Sequence, residues 1–110
     1  MPLITALNLR REDPLRKIEE SLSQALASNP DLEIKQEEVD LAPVWEPDAF
    51  RASVARINVD LWEHPARTKD ALQDLAERVV RAFQSVVGQD RKVKVVIRPY
   101  DVGKAGWVSF

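Results

Sequence analysis

Proline at position 2 directly precedes an apolar run, Leu3-Ile4-Thr5-Ala6-Leu7-Asn8-Leu9. Removal of Met1 would leave Pro2 with a secondary amine at the start of a strand. An amine kept away from water loses part of its preference for the charged form, so its pKa falls. Such a group can serve as a general base near neutral pH. The other reactive residue types are sparse. There is no cysteine, which excludes disulfides and thiolate chemistry. His64 is the one histidine; it sits in the turn Glu63-His64-Pro65, and no metal-ligand spacing accompanies it. Ser21, Ser23 and Ser85 fall in helical stretches without a histidine partner, so a hydrolase triad is not expected. Gly103 and Gly106 follow the last strand rather than opening a helix, and no phosphate-binding loop results. No cofactor is expected. Trp45, Phe50, Trp62, Tyr100 and Trp107 could line an apolar pocket, although core and interface positions are the commoner place for aromatic rings.

The totals describe the scaffold that must position Pro2. A chain of 110 residues, 45% apolar and 31% charged, fits one globular domain spanning 1–110. Its formal net charge of -2 gives no field that would gather nucleic acid or an acidic membrane surface, and neither is expected as a partner. No apolar run is long enough to span a bilayer, and the start of the chain lacks a basic-then-apolar secretory pattern. A cytoplasmic location is expected.

Two similar halves follow one another. Leu3 to Leu9 is apolar on both alternating faces, as in a central strand covered on both sides. Asp13 is placed to cap a helix with Pro14 in its first turn, and Leu15, Ile18, Leu22, Ala25 and Leu26 recur at helical spacing until Ser28-Asn29-Pro30. Val39 to Val44 reads as a second strand, with Pro43 marking a sheet edge or a bulge. Val54 to Trp62 alternates cleanly: Ala55, Ile57, Val59 and Leu61 lie on one face, Arg56, Asn58 and Asp60 on the other. Thr68 is a helix cap, Leu72 through Val87 carry a long apolar stripe ending at Gly88, and Val93 to Ile97 form a fourth strand closed by Pro99. Ile4 corresponds to Ile57, Leu22 to Leu75 and Leu41 to Val95 at a nearly constant offset. The expected fold is therefore α/β (α+β in some schemes). Two tandem βαβ units, about 2–46 and 53–100, form one four-stranded mixed sheet with both helices on one face. The tail, 101–110, adds a short C-terminal strand. The uncovered sheet face is half apolar, and symmetric assembly with further copies is expected to hide it. The apolar tail is expected to pack on a neighbouring subunit.

With Met1-Pro2 leading straight into a strand and two βαβ units in one short chain, the sequence resembles the tautomerase superfamily. Ile34-Lys35-Gln36-Glu37-Glu38-Val39-Asp40-Leu41 resembles that family's turn into its second strand. Ile97-Arg98-Pro99-Tyr100-Asp101 followed by Gly106-Trp107 resembles the end of the migration inhibitory factor branch. Leu61-Trp62 and Phe110 are similar to features of an uncharacterised bacterial branch. The resemblance covers nearly the whole chain and rests on the order and spacing of individually weak motifs. It implies a homotrimer with an active site around each Pro2 at a subunit boundary. It also implies a small carboxylate substrate held by arginine, whose planar fork takes both carboxylate oxygens.

The resemblance makes Arg98, Arg10, Arg11 and Lys35 candidate substrate-binding residues. Against each stands a plainer reading. Arg10 and Arg11 can be a solvated strand end beside Glu12 and Asp13, Lys35 a surface lysine, and Arg98 a residue lining the trimer axis. Two departures are visible. Asp40 stands where 4-oxalocrotonate tautomerase has a substrate-binding arginine, which argues against a dianionic substrate. Val96 stands where related chains carry tyrosine. Three functions remain open: a cofactor-independent keto-enol tautomerase or isomerase with Pro2 as general base; a hydratase or dehalogenase of unsaturated acids with Pro2 as acid and Glu12, Asp40 or Asp60 activating water; and a non-catalytic trimer of the same fold.

Overall fold

The computed structural model describes residues 2–46, 54–101, 103–106 and 108. Two repeats of strand, helix, strand run along the chain: β1 (Leu3–Leu9), α1 (Leu15–Ala27), β2 (Asp40–Trp45), then β3 (Ala55–Trp62), α2 (Lys69–Val87) and β4 (Val93–Tyr100). Two single-turn 3-10 helices, Pro30–Leu32 and Gln36–Glu38, fill the connection from α1 to β2. The strands make one sheet in the order β2-β1-β3-β4. Each half contributes a parallel pair, β1 with β2 and β3 with β4, and the halves join through the antiparallel pair β1–β3. Thr5 and Asn58, which correspond between the repeats, face each other across that junction. The halves are thus related by a pseudo-twofold through this point.

One sheet face is closed by the helices. Ile4, Ala6 and Leu9 from β1 and Ala55, Ile57, Val59 and Leu61 from β3 are buried in one cluster. From the helices come Ile18, Leu22 and Leu26 of α1 and Leu75, Val79 and Phe83 of α2. The helices also meet each other: Ser21 Oγ donates to the Ala82 carbonyl at 3.0 Å, and Arg78 Nη1 donates to Ser28 Oγ at 2.9 Å. Thr68 caps α2 by accepting from the Ala71 N–H at 3.2 Å, and Gly88 ends it at a φ of 115° that disfavours any side chain.

Two details differ from the sequence expectation. The first is Asn8, which has a φ of 61°. The β1–β2 register slips between Ala6 and Leu9, so β1 holds one residue more than its partner. This bulge turns Leu9 back to the helix side, where it is fully buried; strict alternation would have left it on the open face. Pro43 lies opposite Ala6 at the start of the irregularity and on an outer strand, satisfying both readings of that proline. The second is Asp13, which does not cap α1: the capping position is Pro14 and no side chain bonds there. The Asp13 carboxylate instead accepts the Arg10 N–H at 2.7 Å and takes a two-pronged bond from Arg91, Nη1 to Oδ1 and Nη2 to Oδ2, each 2.9 Å. Both side chains of that pair are only 7% exposed. The tail is described only in part. Its described residues form a turn in which the Gly103 N–H donates to Asp101 Oδ1 at 2.9 Å. Ala105 and Gly106 line one cavity with residues of the same chain's own β1, β3 and β4. The expected short strand and packing on a neighbour fall partly on positions 102, 107, 109 and 110, outside the described residues, as does Phe50.

The left-handed backbone at Asn8 should tolerate Asn8→Gly within about 0.5 kcal/mol, whereas a β-branched Asn8→Val should cost about 1–2 kcal/mol; urea unfolding of the two variants measures the contrast. Asp13 is subject to burial, which raises its pKa, but the hydrogen bond from Arg91, the Arg10 amide and both guanidinium charges outweigh that and hold it below its ordinary 3.8. Asp13→Ala, which strands the buried Arg91, should lose about 3 kcal/mol or more at neutral pH. A carboxylate with a depressed folded-state pKa stabilises above its unfolded value and loses that contribution as pH falls through the folded one. The stability gap between the wild type and Asp13→Asn should therefore be constant above about pH 5 and close as the pH drops below 3.8. Equilibrium unfolding across pH reads this directly.

Candidate active site

Because β1 and β3 are antiparallel while each half is parallel, one end of the sheet gathers the starts of β1 and β2 and the ends of β3 and β4. Pro2 is at that end, buried, and its carbonyl accepts the Asp40 N–H at 3.1 Å. The next residue, Leu3, is opposite Asp40 on one side and Asp60 on the other. Asp60 is in turn opposite Arg98. Directly paired residues on neighbouring strands share a sheet face. Leu3, Asp40, Asp60 and Arg98 therefore form a row across all four strands, on the face away from the helices. With strands about 4.8 Å apart, the Arg98 backbone lies roughly 10 Å from that of Leu3.

A cavity of about 290 Å³ opens at this end. Leu3, Leu61, Trp62, Tyr100, Ala105 and Gly106 supply uncharged walls, and Asp60 supplies the single ionisable carboxylate. Its size suits a small organic molecule of roughly ten non-hydrogen atoms. Sequence reasoning placed Trp62 and Tyr100 as possible pocket aromatics, and both line it. It did not foresee that Asp60 grips Arg98: Nε to Oδ1 is 2.6 Å and Nη2 to Oδ2 is 3.0 Å. The fork holds the guanidinium even more firmly in its charged form, chiefly through the hydrogen bonds that Asp60 accepts from it. The signal was present in the strand register, which brings a β3 carboxylate directly opposite a β4 arginine, but it needs the pairing to be known.

A second set of contacts braces the strand ends. Arg67 donates Nη1 to the Trp62 carbonyl at 2.6 Å, and Nε and Nη2 to the Leu32 carbonyl at 3.2 and 2.9 Å. Burial lowers the pKa of Arg67, and the charge of Glu33 opposes the change. His64 accepts the Ala66 N–H at Nδ1, 3.1 Å, and meets Glu33 Oε2 through Nε2 at 2.9 Å. Its partners make it a turn brace, as its position in Glu63-His64-Pro65 indicates. Among the described residues no group of three or more His, Asp or Glu side chains is placed to hold a metal ion.

The four candidate binding residues separate into two ends of the sheet. Arg98 is at the same sheet end as Pro2, two strands away. Lys35 is exposed and caps the 3-10 turn that leads into β2 at the same end, its carbonyl accepting the Glu38 N–H at 3.0 Å. Arg10 and Arg11 lie beyond the far end of β1, roughly 25 Å along the strand from Pro2. Arg10 lines a separate polar hollow with Asp90, Arg91 and Lys92, and its Nε is buried without a hydrogen-bond partner. The Arg11 guanidinium stacks over the Trp45 ring at 5.2 Å. No small ligand can touch Pro2 and either of these arginines within one protomer. Among the described residues, no helix is long and apolar enough to cross a membrane.

Solved structures share this fold across nearly the whole length of the chain. A malonate semialdehyde decarboxylase, FG41, inhibited by 3-bromopropiolate, superposes with a TM-score of 0.70 at 15% identity, over 99% of this chain and 89% of that one. A wild-type fused 4-OT asymmetric trimer, F6, matches with a TM-score of 0.77 at 13% identity, over 96% and 91%. N1, a member of the cis-3-chloroacrylic acid dehalogenase family, matches with a TM-score of 0.73 at 12% identity, over 96% and 79%. No protein-family model and no curated protein sequence matches the chain. These structures are tautomerase superfamily members, and at such identities the likeness is one of fold: the chain has the tautomerase superfamily fold.

Proposed function

We propose that this chain, built on the tautomerase superfamily fold, is a cofactor-independent enzyme acting on a small keto or enol carboxylic acid, with Pro2 as the proton-transferring group. The observation that carries this reading is the position of Pro2: buried, one residue ahead of the Leu3 wall of an apolar cavity, and at the sheet end that also holds Arg98. Removal of Met1 would expose a secondary amine there. The apolar surroundings disfavour its charged form, which suits a general base near neutral pH. The neutral amine would take a proton from the carbon next to a carbonyl, and the resulting ammonium would return it elsewhere on the conjugated system. Arg98 would receive the substrate carboxylate and stabilise the developing enolate. Arg10 or Arg11 can join only from another protomer, given their distance along β1. Association into a homotrimer is consistent with the trimers described for fused 4-OT. Lys35, exposed at the approach to β2, would add long-range attraction for an anion rather than a fixed contact.

One observation favours a second reading. Asp40 and Asp60 flank Leu3, and carboxylates near an amine favour its charged form. A charged Pro2 would act as an acid while a carboxylate activates water, giving hydration or dehalogenation of an unsaturated acid.

Intact-mass measurement of protein from its native host should show the chain without Met1. With such protein, Pro2→Ala should lower turnover of phenylpyruvate by at least about 100-fold, the usual worth of a positioned general base. Titration of the amine by nitrogen NMR separates the two enzymatic readings: the base requires a pKa near or below neutrality, the acid one well above it. Retention of Met1, or turnover unchanged in Pro2→Ala, would leave a non-catalytic trimer of this fold.

A further inference from the structure

We propose that Asp60 sets the charge specificity of the Pro2 cavity, admitting a ligand with one carboxylate on an apolar body and rejecting dicarboxylates. The inference deepens the reading above, since it rests on Arg98 receiving the carboxylate. It starts from what Arg98 has left to offer. A guanidinium carries five N–H groups in a planar fork. Asp60 occupies Nε and one hydrogen of Nη2 at 2.6 and 3.0 Å, and so fills one complete edge of the fork. The remaining edge, Nη1 with the other Nη2 hydrogen, matches one carboxylate and no more. Arg98 is 46% exposed while Asp60 is 18% exposed, so solvent and a ligand can reach the guanidinium that Asp60 holds.

The surrounding charges point the same way. Asp40 and Asp60 flank Leu3 on the open face, one from β2 and one from β3, and Arg98 is the one cation in that row. Arg56 and Lys94, paired with each other, face Leu7, two open-face positions further along the sheet and so roughly 13 Å away. Lys35 lies exposed on the connection before β2, and Glu63 follows the end of β3. Among the described residues, no lining side chain of the cavity is a cation that could meet a second carboxylate. A dianion would place its extra charge against Asp60 inside walls made by Leu61, Trp62 and Tyr100. Those walls accept the apolar body of a ligand and offer nothing to a second anion.

Binding of a matched pair tests this without depending on turnover. 3-Phenylpropionate and phenylsuccinate differ by one carboxylate on the same skeleton, and calorimetric titration gives both affinities. Wild-type protein should bind 3-phenylpropionate more tightly by a factor on the order of ten, the scale of one close like-charge contact near a surface. Asp60→Asn keeps the side-chain shape and removes the charge; it should bring the ratio to about one or reverse it. Asp60→Ser provides the same test should the amide variant misfold, and thermal melting identifies that case. Arg98→Gln should weaken both ligands. Equal affinities in the wild type, or a ratio unchanged by both Asp60 variants, would overturn the proposal. If the ratio is unchanged but Arg98→Gln still abolishes binding, the carboxylate site stands and only the role of Asp60 falls. If neither ligand binds the wild type, both readings fall together.

Discussion

The antiparallel contact between β1 and β3 governs the geometry of everything else. Each βαβ half is parallel within itself and could bury one side of two strands, but not a full core. Joining the halves through Thr5 and Asn58 puts four inward-facing rows under two helices and produces one continuous cluster from Ile4 to Phe83. The same join decides which residues can do chemistry together. It brings the last residues of β3 and β4 alongside the first residue of β1, so Asp60, Trp62, Arg98 and Tyr100 become neighbours of a residue far from them in sequence. It also sends Arg10 and Arg11 to the opposite end.

Strands, helices and the tandem repeat were legible because their apolar spacing is set by burial on one face. The alternation Ala55, Ile57, Val59, Leu61 and the stripe Leu75, Val79, Phe83 survive unchanged in the folded core. What was not legible has a common physical origin: it depends on one residue's backbone or on a partner distant in the chain. Asn8 adopts a left-handed conformation that a run of apolar neighbours does not announce, although asparagine tolerates it better than most residues. Asp13 has the sequence position of a helix cap, yet Arg91, far along the chain, offers a buried two-pronged partner that a cap cannot match. Arg98 looked like an available guanidinium because the chain does not reveal that Asp60 is its cross-strand neighbour.

Two arginine–aspartate forks with almost the same bond lengths therefore differ in consequence. Arg91 and Asp13 are sealed from water at the far end of the sheet, with the Arg10 amide completing the carboxylate's bonding and the Phe83 ring 5.8 Å from the guanidinium. Neither partner can leave without stranding the other, so the pair ties the loop before α1 to the loop before β4. Arg98 and Asp60 lie on an open sheet face, where solvent screens their attraction and a competing anion can approach. Burial, and not the chemistry of the pair, separates a sealed structural clasp from one that a solvent-borne anion can reach.

The open face explains why such a pair can persist beside apolar residues. Leu3 and Leu7 of β1, Val44 of β2, Trp62 of β3, and Val96 and Tyr100 of β4 share that face with the charged row. Val44 and Tyr100 are 45% and 43% exposed, which is high for side chains of this kind in a protomer with a complete core beneath them. Lengthwise growth of the sheet is not a ready way to cover them. Both outer strands are interrupted by proline, Pro43 in β2 opposite the start of the β1 bulge and Pro99 near the end of β4, and a proline cannot donate to a new ladder. Contact through the face, with only short edge pairing, is the arrangement that would bury these side chains. It would also draw the Asp60–Arg98 fork out of bulk water, where its remaining hydrogen-bond edge would bind an anion more strongly than it can in an isolated protomer.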